Sequence, residues 1–255
     1  MELTNAIRKS VRQLADARHR RLSGLFVAEG TKCVVDTLTH FRCRFIAATR
    51  DWALQHTALL GGRDVAIASR ADMERMSSLS TPPPVLAVYE IPQRTLPSPR
   101  HLASQLVLAL DRIQDPGNMG TIMRVADWMG VRHILASPDT VDIYNPKTVQ
   151  ATMGSIARVQ VHYCDLAQLL PQLSASVPVY GTLLDHTSAN IYTATLPPRA
   201  VLVMGNEGRG ISPEVRACLT HTLFIPPYPA TATTAESLNV AVATSIALAM
   251  FRRQA

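Results

Sequence analysis

Short apolar runs separated by glycine- and proline-rich turns recur through the second half of the chain. Continuous apolar runs bounded by turn residues indicate buried strands, and apolar residues three and four apart indicate the core face of a helix. These signals predict strands at residues 106–110, 133–136, 158–162, 177–184, 201–204 and 222–225, with helices between them. The alternation predicts an α/β domain with a parallel sheet and functional loops at the strand ends.

The first half predicts a smaller α/β unit, because strands again alternate with helices. Strands are predicted at residues 25–27, 44–48, 65–68 and 85–89, and helices at 1–22, 31–38 and 72–76. Residues 92–104 contain proline, serine and arginine without periodicity, which is typical of a linker. We therefore predict one domain at residues 1–92, a linker at 93–105 and a second domain at 106–255.

Two helices of the second domain carry polar residues at their predicted starts. Asn118 is predicted to cap one of them and to leave Arg124 off its apolar stripe. Thr233 and Glu236 have the spacing of a capping box, which predicts that the last helix runs from there to about Arg252. This helix is apolar nearly all round, so we expect it to be buried.

A glycine-rich turn and a proline-rich loop follow two of the predicted strands. The turn is residues 205–210 and the loop is residues 226–232. Strand ends, a turn with accessible backbone and a rigid loop together predict a concave pocket at one edge of the sheet, where small molecules bind. For either loop alone, the plainer interpretation that it only turns the chain stays open.

The formal net charge of +6 and the sequence pI near 9.5 suggest a polyanionic partner. The predicted first helix concentrates basic side chains, and such a face would suit a phosphate backbone. A solvated helix is the alternative. The basic residues of this helix are Arg8, Lys9, Arg12, Arg18, Arg20 and Arg21.

The four cysteines lie far apart, without a C-x-x-C pair or clustered histidines, so neither a metal site nor a disulfide framework is expected. No apolar run approaches the length of a membrane span, and residues 1–10 contain no apolar signal region. We therefore expect a cytoplasmic protein that does not engage a membrane.

Three segments together resemble the SpoU/TrmH family of SPOUT-class RNA methyltransferases. Residues 118–124 have the pattern N-x-G-x-x-x-R, and residues 204–212 read M-G-N-E-G-R-G-I-S. The third segment is Ile225-Pro226 followed by S-L-N-V-A-V at residues 237–242. Residues 18–30, with the pattern R-x-x-x-G-x-F-x-x-E-G, are similar to the family's accessory substrate-binding domain. One motif alone would be weak, whereas three in this order are highly specific.

The resemblance implies a parallel α/β domain with a trefoil knot, a homodimer with active sites at its interface, S-adenosylmethionine as methyl donor, and a ribose 2′-hydroxyl of rRNA or tRNA as acceptor. It places the catalytic arginine on Arg124 and the other motif polar positions on Asn118, Glu207, Ser237 and Asn239. The cofactor-binding residues are then Leu184, Gly205, Asn206, Gly210, Ile225, Pro227 and Leu238. The six basic residues of the first helix would bind RNA.

The chain departs from the family pattern between Ile225 and Leu238, where the loop is longer than usual and lacks the family's glycine. This departure bears on cofactor affinity and leaves a second interpretation open, an RNA-binding protein that has the fold but no turnover. A third interpretation is a nucleotide-dependent enzyme with phosphates on residues 205–210. The absence of the G-x-G-x-x-G and Walker lysine patterns disfavours it.

Methyl transfer from a sulfonium is an in-line displacement, so the enzyme must align the hydroxyl with the methyl group and handle the hydroxyl proton. A guanidinium stays protonated in proteins, with a pKa above about 12, so Arg124 is a poor candidate for the base. Our hypothesis is that Arg124 holds an RNA phosphate and stabilises the developing alkoxide, while the proton leaves through that phosphate or Glu207.

Overall fold

The computed structural model describes residues 2–185, 187–229 and 235–253. Two compact units are present, one formed by Met1–Gln93 with Asp142–Arg158, and the other by Arg94–Val141 with Val159–Ala255. Residues 142–158 therefore pack with the N-terminal unit, although the sequence-based domain limits place them in the second domain. The predicted limits of 1–92, 93–105 and 106–255 stay a prediction.

Every strand predicted from the sequence is present, with ends shifted by at most two residues. The strands are β1 Leu25–Glu29, β2 Cys43–Ala48, β3 Val65–Ile67, β4 Val85–Glu90, β5 Leu106–Leu110, β6 His133–Ala136, β7 Gln160–Tyr163, β8 Val179–Thr182, β9 Ala189–Asn190, β10 Ala200–Met204 and β11 His221–Phe224. The helices are α1 Asn5–Gln13, α2 Ala17–Ser23, α3 Thr31–Thr37, α4 Arg50–Gln55, α5 Thr57–Leu60, α6 Arg70–Met76, α7 Pro99–Leu102, α8 Pro116–Trp128, α9 Pro146–Thr152, α10 Leu166–Ser174, α11 Pro213–Arg216 and α12 Val240–Arg253. The sequence did not predict β9, α4, α5 or α7.

The first unit is built on a mixed sheet in the order β1-β4-β2-β3, in which β4 is antiparallel to both neighbours and β3 is parallel to β2. Apolar side chains of α1 and α6 cover one face, including Val11 and Met73, which join Val27 and Leu86 of the sheet in one buried cluster. On β1, the ring of Phe26 contacts that of Tyr144 with centroids 4.8 Å apart. This contact helps to hold residues 142–158 in the first unit.

The predicted single helix at residues 1–22 is wrong, because the chain forms α1 and α2 with a break between them. The carboxylate of Asp16 caps α2 by accepting a hydrogen bond from the backbone N–H of His19 at 2.9 Å. This bond, together with smaller effects, lowers the pKa of Asp16. Arg20 donates to the carbonyl oxygens of Leu14 and Ala15 at 2.8 and 3.0 Å, which satisfies backbone acceptors in the break.

Within the described residues, the second unit contains a seven-stranded sheet in the order β7-β6-β5-β10-β8-β11-β9, with all pairs parallel. The central strands β5 and β10 are fully buried, as their unbroken apolar runs predict. Because the strands are parallel, the loops after β5, β8, β10 and β11 all leave the same edge of the sheet. The functional loops predicted from the sequence therefore emerge together. The trefoil knot remains a prediction.

Two helix starts differ from prediction. The cap of α8 is Asp115, whose carboxylate accepts from the N–H of Asn118, so Asn118 lies in the first turn and its side chain is available for other contacts. The last helix begins at Val240, after Asn239, whereas Glu236 lies in the preceding loop and Thr233 lies outside the described residues. A capping box there is not what starts α12.

The last helix is also less enclosed than predicted. Val242 is 49% exposed, although Val240 and Phe251 are buried. An all-round apolar helix thus keeps part of one side at the surface of the second unit. Over residues 2–185, 187–229 and 235–253, no helix combines the length and apolar character needed to cross a membrane.

Candidate active site

A chain of side-chain hydrogen bonds joins three separate segments at the carboxyl edge of the parallel sheet. Nδ2 of Asn239 donates to Oδ1 of Asn118 at 2.9 Å, and Nδ2 of Asn118 donates to Oε1 of Glu207 at 2.7 Å. The three residues come from three separate motifs of the sequence, one each. The chain is directional, since each amide donates toward the Glu207 carboxylate at its end.

Each member of this chain is positioned by its own element. Asn118 lies in the first turn of α8, and Asp115 holds the backbone there by capping. Glu207 lies in the turn after β10. Oδ1 of Asn239 accepts from the N–H groups of Ala241 and Val242 at 2.9 and 3.3 Å, so it caps α12. This cap leaves the Asn239 amide nitrogen to reach Asn118.

The glycine-rich turn at residues 205–210 is closed by its own backbone. Asn206 and Gly210 exchange two backbone hydrogen bonds of 3.0 and 2.9 Å. Oδ1 of Asn206 accepts from the N–H groups of Gly208 and Arg209, both at 3.0 Å. A Cβ on Gly205 would collide with the backbone of Gly210 and Ile211. Only glycine therefore permits this close approach of the two sides of the turn.

A cleft of about 690 Å³ opens beside this turn, within the size range of small-molecule sites. It is lined by the ends of β8, β10 and β11 and by the residues that precede α12. Six of the seven predicted cofactor residues line it, whereas Pro227 does not. The six that line it are Leu184, Gly205, Asn206, Gly210, Ile225 and Leu238, and their role in cofactor binding stays a prediction.

Glu207 and Ser237 also line the cleft, so Glu207 belongs both to the cleft and to the hydrogen-bond chain. Asp185 and Arg216 face each other across the rim with Oδ2 and Nη2 3.6 Å apart. Leu184 is an exposed apolar side chain at this rim. The cleft therefore offers apolar surface, backbone groups and charges of both signs. No group of three metal-ligating side chains occurs among the described residues.

Arg124 is exposed on α8 and has no ion pair or hydrogen bond with any described residue. The structure therefore does not bring Arg124 into the Asn239–Asn118–Glu207 chain, although it places it on the helix that carries Asn118. Ser237 is likewise exposed and unbonded within the described part of the chain. Both side chains are available to a ligand.

Five of the six basic residues predicted to bind RNA divide into two groups. Arg8 forms an ion pair with Asp72 at 2.8 Å, and Arg12 donates to the carbonyl oxygen of Ser77. Lys9, Arg18 and Arg21 are exposed and have no ion pair with a described residue. These three remain available to a phosphate backbone.

The prediction that Arg20 binds RNA is wrong. Its side chain is buried, with 1% of the residue exposed, and its guanidinium binds Oδ2 of Asp142 at 2.6 and 2.9 Å. A guanidinium enclosed in this way, with two carbonyl acceptors as well, has a structural role within the first unit. The same residue opens the R-x-x-x-G-x-F-x-x-E-G pattern, so that part of the pattern reflects folding.

The sequence predicts a loop between β5 and α8 at residues 111–116, but it did not predict the roles of the residues in that loop. Asp115 is the cap, and the signal for it was an aspartate followed by proline at the first helical position. Asp111 is buried, and its Oδ2 accepts from the N–H of Ser212 at 2.6 Å, which ties the end of β5 to the segment that follows the glycine turn. Arg112 has a left-handed backbone with φ of 59°. No pattern in the sequence marks that conformation.

Residues 105–249 match the SpoU rRNA Methylase family, and residues 5–87 match the MRM3-like substrate binding domain. The 23S rRNA (guanosine(2553)-2′-O)-methyltransferase RlmP of Bacillus subtilis is 29% identical over 239 residues, covering 93% of this chain and 92% of the relative. The 23S rRNA (uridine(2479)-2′-O)-methyltransferase of Streptomyces viridochromogenes is 27% identical, covering 77% of this chain and 69% of the relative.

Solved structures agree with these matches. An AdoMet-bound rRNA methyltransferase from Sinorhizobium meliloti has a TM-score of 0.85 and 31% identity, covering 100% of this chain and 98% of that one. A TrmH-family protein from Porphyromonas gingivalis has a TM-score of 0.86 and 37% identity, covering 99% of both chains. The family match spans more than half of the chain, and it contains all three motifs that meet at the sheet edge. The chain belongs to the SpoU rRNA methylase family.

Proposed function

We propose that this protein transfers a methyl group from S-adenosylmethionine to a ribose 2′-hydroxyl of ribosomal RNA. The observation that carries the proposal is the position of Glu207, which lines the cleft and also ends the hydrogen-bond chain from Asn239 and Asn118. A methyl donor bound in the cleft and an acceptor ribose bound beside the Asn239–Asn118–Glu207 hydrogen-bond chain would meet at this carboxylate. Relatives named as 23S rRNA 2′-O-methyltransferases support the same reaction.

The cleft residues fit the cofactor. Gly205 leaves no room for a Cβ, so the cofactor would lie against backbone rather than side chains there. Leu184, Ile225 and Leu238 supply apolar surface of the kind that an adenine ring requires. S-adenosylmethionine supplies an electrophilic methyl group on a sulfonium. The AdoMet-bound relative from Sinorhizobium meliloti supports this assignment.

The remaining chemistry belongs to the acceptor side. Asn118 is fixed by Glu207 and Asn239, so we assign it to orienting the acceptor ribose or the carboxylate. Arg124 lies exposed on the same helix as Asn118 and has no partner among the described residues. It would hold an RNA phosphate and stabilise the developing alkoxide. The hydroxyl proton leaves to that phosphate or to Glu207, because the guanidinium remains protonated. Ser237 lines the cleft and would hydrogen-bond either ligand.

RNA is the partner implied by the substrate-binding match at residues 5–87. Lys9, Arg18 and Arg21 would contribute sequence-independent affinity through phosphate contacts. The curated relatives named above modify different nucleotides, a guanosine and a uridine, so the methylated nucleotide is not assigned.

A homodimer and a trefoil knot are part of the same proposal. Trp128 on α8 is 87% exposed, Val242 on α12 is half exposed, and these two helices pack against each other within the second unit. Large exposed apolar side chains on neighbouring helices are what a second subunit covers. Sedimentation velocity of the wild type and of Trp128→Arg tests the dimer. A wild type that sediments as a monomer at micromolar concentration would contradict it.

Calorimetric titration with S-adenosylmethionine, followed by transfer of a radioactive methyl group to unmodified rRNA, tests the reaction. We expect cofactor binding and incorporation at a single ribose that resists alkaline hydrolysis at its 3′ phosphodiester. Binding of rRNA without binding of the cofactor would instead identify a non-catalytic RNA-binding protein. Binding of NAD or ATP in preference to S-adenosylmethionine would indicate a nucleotide-dependent enzyme.

A further inference from the structure

Arg112 occupies a backbone conformation that favours glycine. Its φ is 59°, and among the described residues the one other non-glycine with positive φ is Met153. The conformation is held from both sides, since the N–H of Arg112 donates to Oγ of Ser137 at 2.8 Å and its carbonyl accepts from Nδ2 of Asn206 at 2.8 Å. Glycine would adopt this φ with less backbone strain than arginine does. The presence of arginine here therefore suggests that its side chain has a function.

The guanidinium of Arg112 is poorly satisfied. Its Nε is buried without a hydrogen-bond partner, while the side chain as a whole is 27% exposed. Arg112 forms an ion pair with the carboxylate of Asp111, whose Oδ1 lies 3.6 Å from Nε, beyond hydrogen-bonding distance. The other oxygen of Asp111 is already engaged by Ser212. Arg112 therefore has a partly desolvated guanidinium with donors left for a ligand.

Arg112 lies apart from the cofactor cleft but close to the hydrogen-bond chain that contains Asn118 and Glu207. It follows β5, and its backbone contacts bridge the ends of β6 at Ser137 and β10 at Asn206. The cleft lies on the other side of β10, at β8 and β11. Asn206 precedes Glu207, so Arg112 lies one hydrogen bond and one residue away from the hydrogen-bond chain. A ligand that approaches Asn118 and Glu207 from the β5 side would meet Arg112.

We propose that Arg112 binds a backbone phosphate of the RNA next to the acceptor nucleotide. The inference rests on the proposed function, because it takes the acceptor to be RNA. A planar guanidinium with free donors matches a phosphate bidentately, and such a contact fixes the register of the strand without reading its sequence. Arg112 is in this view an RNA-binding residue that positions the ribose.

The test is Arg112→Gly, with Met153→Gly as the matched control and Arg112→Lys as the conservative variant. Both variants place glycine where the backbone has a positive φ, which relieves backbone strain. In Arg112→Gly the loss of the ion pair with buried Asp111 opposes this gain, so a cooperative thermal melt is required of each variant before binding is compared. Only Arg112→Gly should weaken binding of unmodified rRNA fragments, by about tenfold, and reduce the slope of log K against log salt by about one. Arg112→Lys should retain the salt slope and lose part of the affinity, because the charge stays and the fork is lost.

S-adenosylmethionine affinity should be unchanged in all three variants. An Arg112→Gly protein that binds RNA with wild-type affinity and salt dependence would overturn the proposal, and so would a loss confined to cofactor binding. These binding measurements need no turnover. A wild type that binds rRNA but never methylates it would therefore count against the proposed reaction alone, while the Arg112 result is still decided by affinity.

Discussion

The side-chain amide of Asn118 donates to Oε1 of Glu207 at 2.7 Å, across 89 residues of sequence. A carboxylate only accepts hydrogen bonds when ionised, so this contact fixes which end of the Asn118 amide faces Glu207. Asn239 completes the orientation by donating to the other end at 2.9 Å. The arrangement requires an amide at position 118, because neither neighbour would tolerate the opposite pattern of donor and acceptor.

Asn118→Asp changes this relationship with little change in shape. The new carboxylate would face the Glu207 carboxylate without a donor between them, and the repulsion should disorder both side chains. We expect methyl transfer to fall by about a hundredfold or more, a size typical of lost transition-state hydrogen bonds. Cofactor affinity should change little, since Asn118 does not line the cleft. Single-turnover methyl transfer and calorimetric titration measure the two quantities.

Asn145→Asp is the matched control for that substitution. Asn145 caps α9 by accepting from the N–H of Lys147 at 2.9 Å, and aspartate caps helices as well as asparagine does. This variant should keep wild-type turnover and stability. Equal activity losses in the two variants would show that added negative charge, rather than the contact with Glu207, causes the effect.

Gly205→Ala should weaken cofactor binding, because its methyl group would collide with the backbone of Gly210 and Ile211 and force the turn open. Gly208→Ala changes the same turn without that collision, since the nearest atom to a Cβ there is Oδ1 of Asn206 at 3.9 Å. We expect at least about a tenfold loss of S-adenosylmethionine affinity for the first variant and little change for the second. Calorimetric titration of both compares them, and equal affinities would contradict the assigned cofactor position.

Arg124→Lys tests whether methyl transfer needs the two parallel donors of a guanidinium or only a positive charge at this position. Lysine keeps the positive charge but cannot bind a phosphate bidentately, so turnover should fall by about tenfold or more while cofactor affinity stays constant. Arg132→Lys is the control, since Arg132 is also exposed but precedes β6 at the opposite edge of the sheet. Near-normal turnover of Arg124→Lys would exclude the proposed role of the guanidinium.

The sequence predicted the strands well because β5 and β10 are unbroken apolar runs in a buried parallel sheet. It misplaced the start of α12 because Thr233 and Glu236 fit a capping box, whereas Asn239 makes the cap bonds in the structure. The spacing of residues along the chain does not show which side chain will cap a helix when tertiary contacts also act on it. Asn239 is held in place by such a contact, its hydrogen bond to Asn118.

The candidate site shows the same limit. The family motifs identified Asn118, Glu207 and Asn239, but only the fold shows that they form one hydrogen-bond chain. Arg20 appeared to be part of a basic face because helical spacing assigns no partner 122 residues away, and Asp142 is such a partner. Arg112 gave no signal at all, since a positive φ at arginine is a property of the folded backbone.

Arg20→Ala should destabilise the protein, whereas Arg21→Ala should not. Loss of the buried guanidinium leaves Asp142 and the carbonyls of Leu14 and Ala15 without their donors. Because the Asp142 side chain is partly exposed, we expect a loss of about 2–3 kcal/mol, at the lower end for buried ion pairs. Chemical denaturation measures the free energy of unfolding. Exposed Arg21 should change it by less than about 0.5 kcal/mol and should instead weaken RNA binding.

The buried histidine pair on β6 and β7 should make stability depend on pH. Nδ1 of His133 lies 3.2 Å from Nε2 of His162. Burial, and then the charges of His133 and Arg94, lower the pKa of His162 from 6.5 to about 4. Burial, and then His101 and Arg94, lower the pKa of His133. Protons therefore bind the unfolded chain more readily, and the free energy of unfolding should decrease as pH falls from about 6.5 toward 4.

His162→Gln should flatten this pH dependence, because glutamine remains neutral throughout the window and can still bond to His133. His40→Gln, at an exposed position of the first unit, should leave the dependence unchanged. Thermal melts of the three proteins between pH 4 and pH 7.5 provide the comparison. Carboxylates that protonate in the same range destabilise all three proteins alike, so the difference between the wild type and His162→Gln isolates the histidine. Parallel curves for those two proteins would show that the buried pair does not control acid stability.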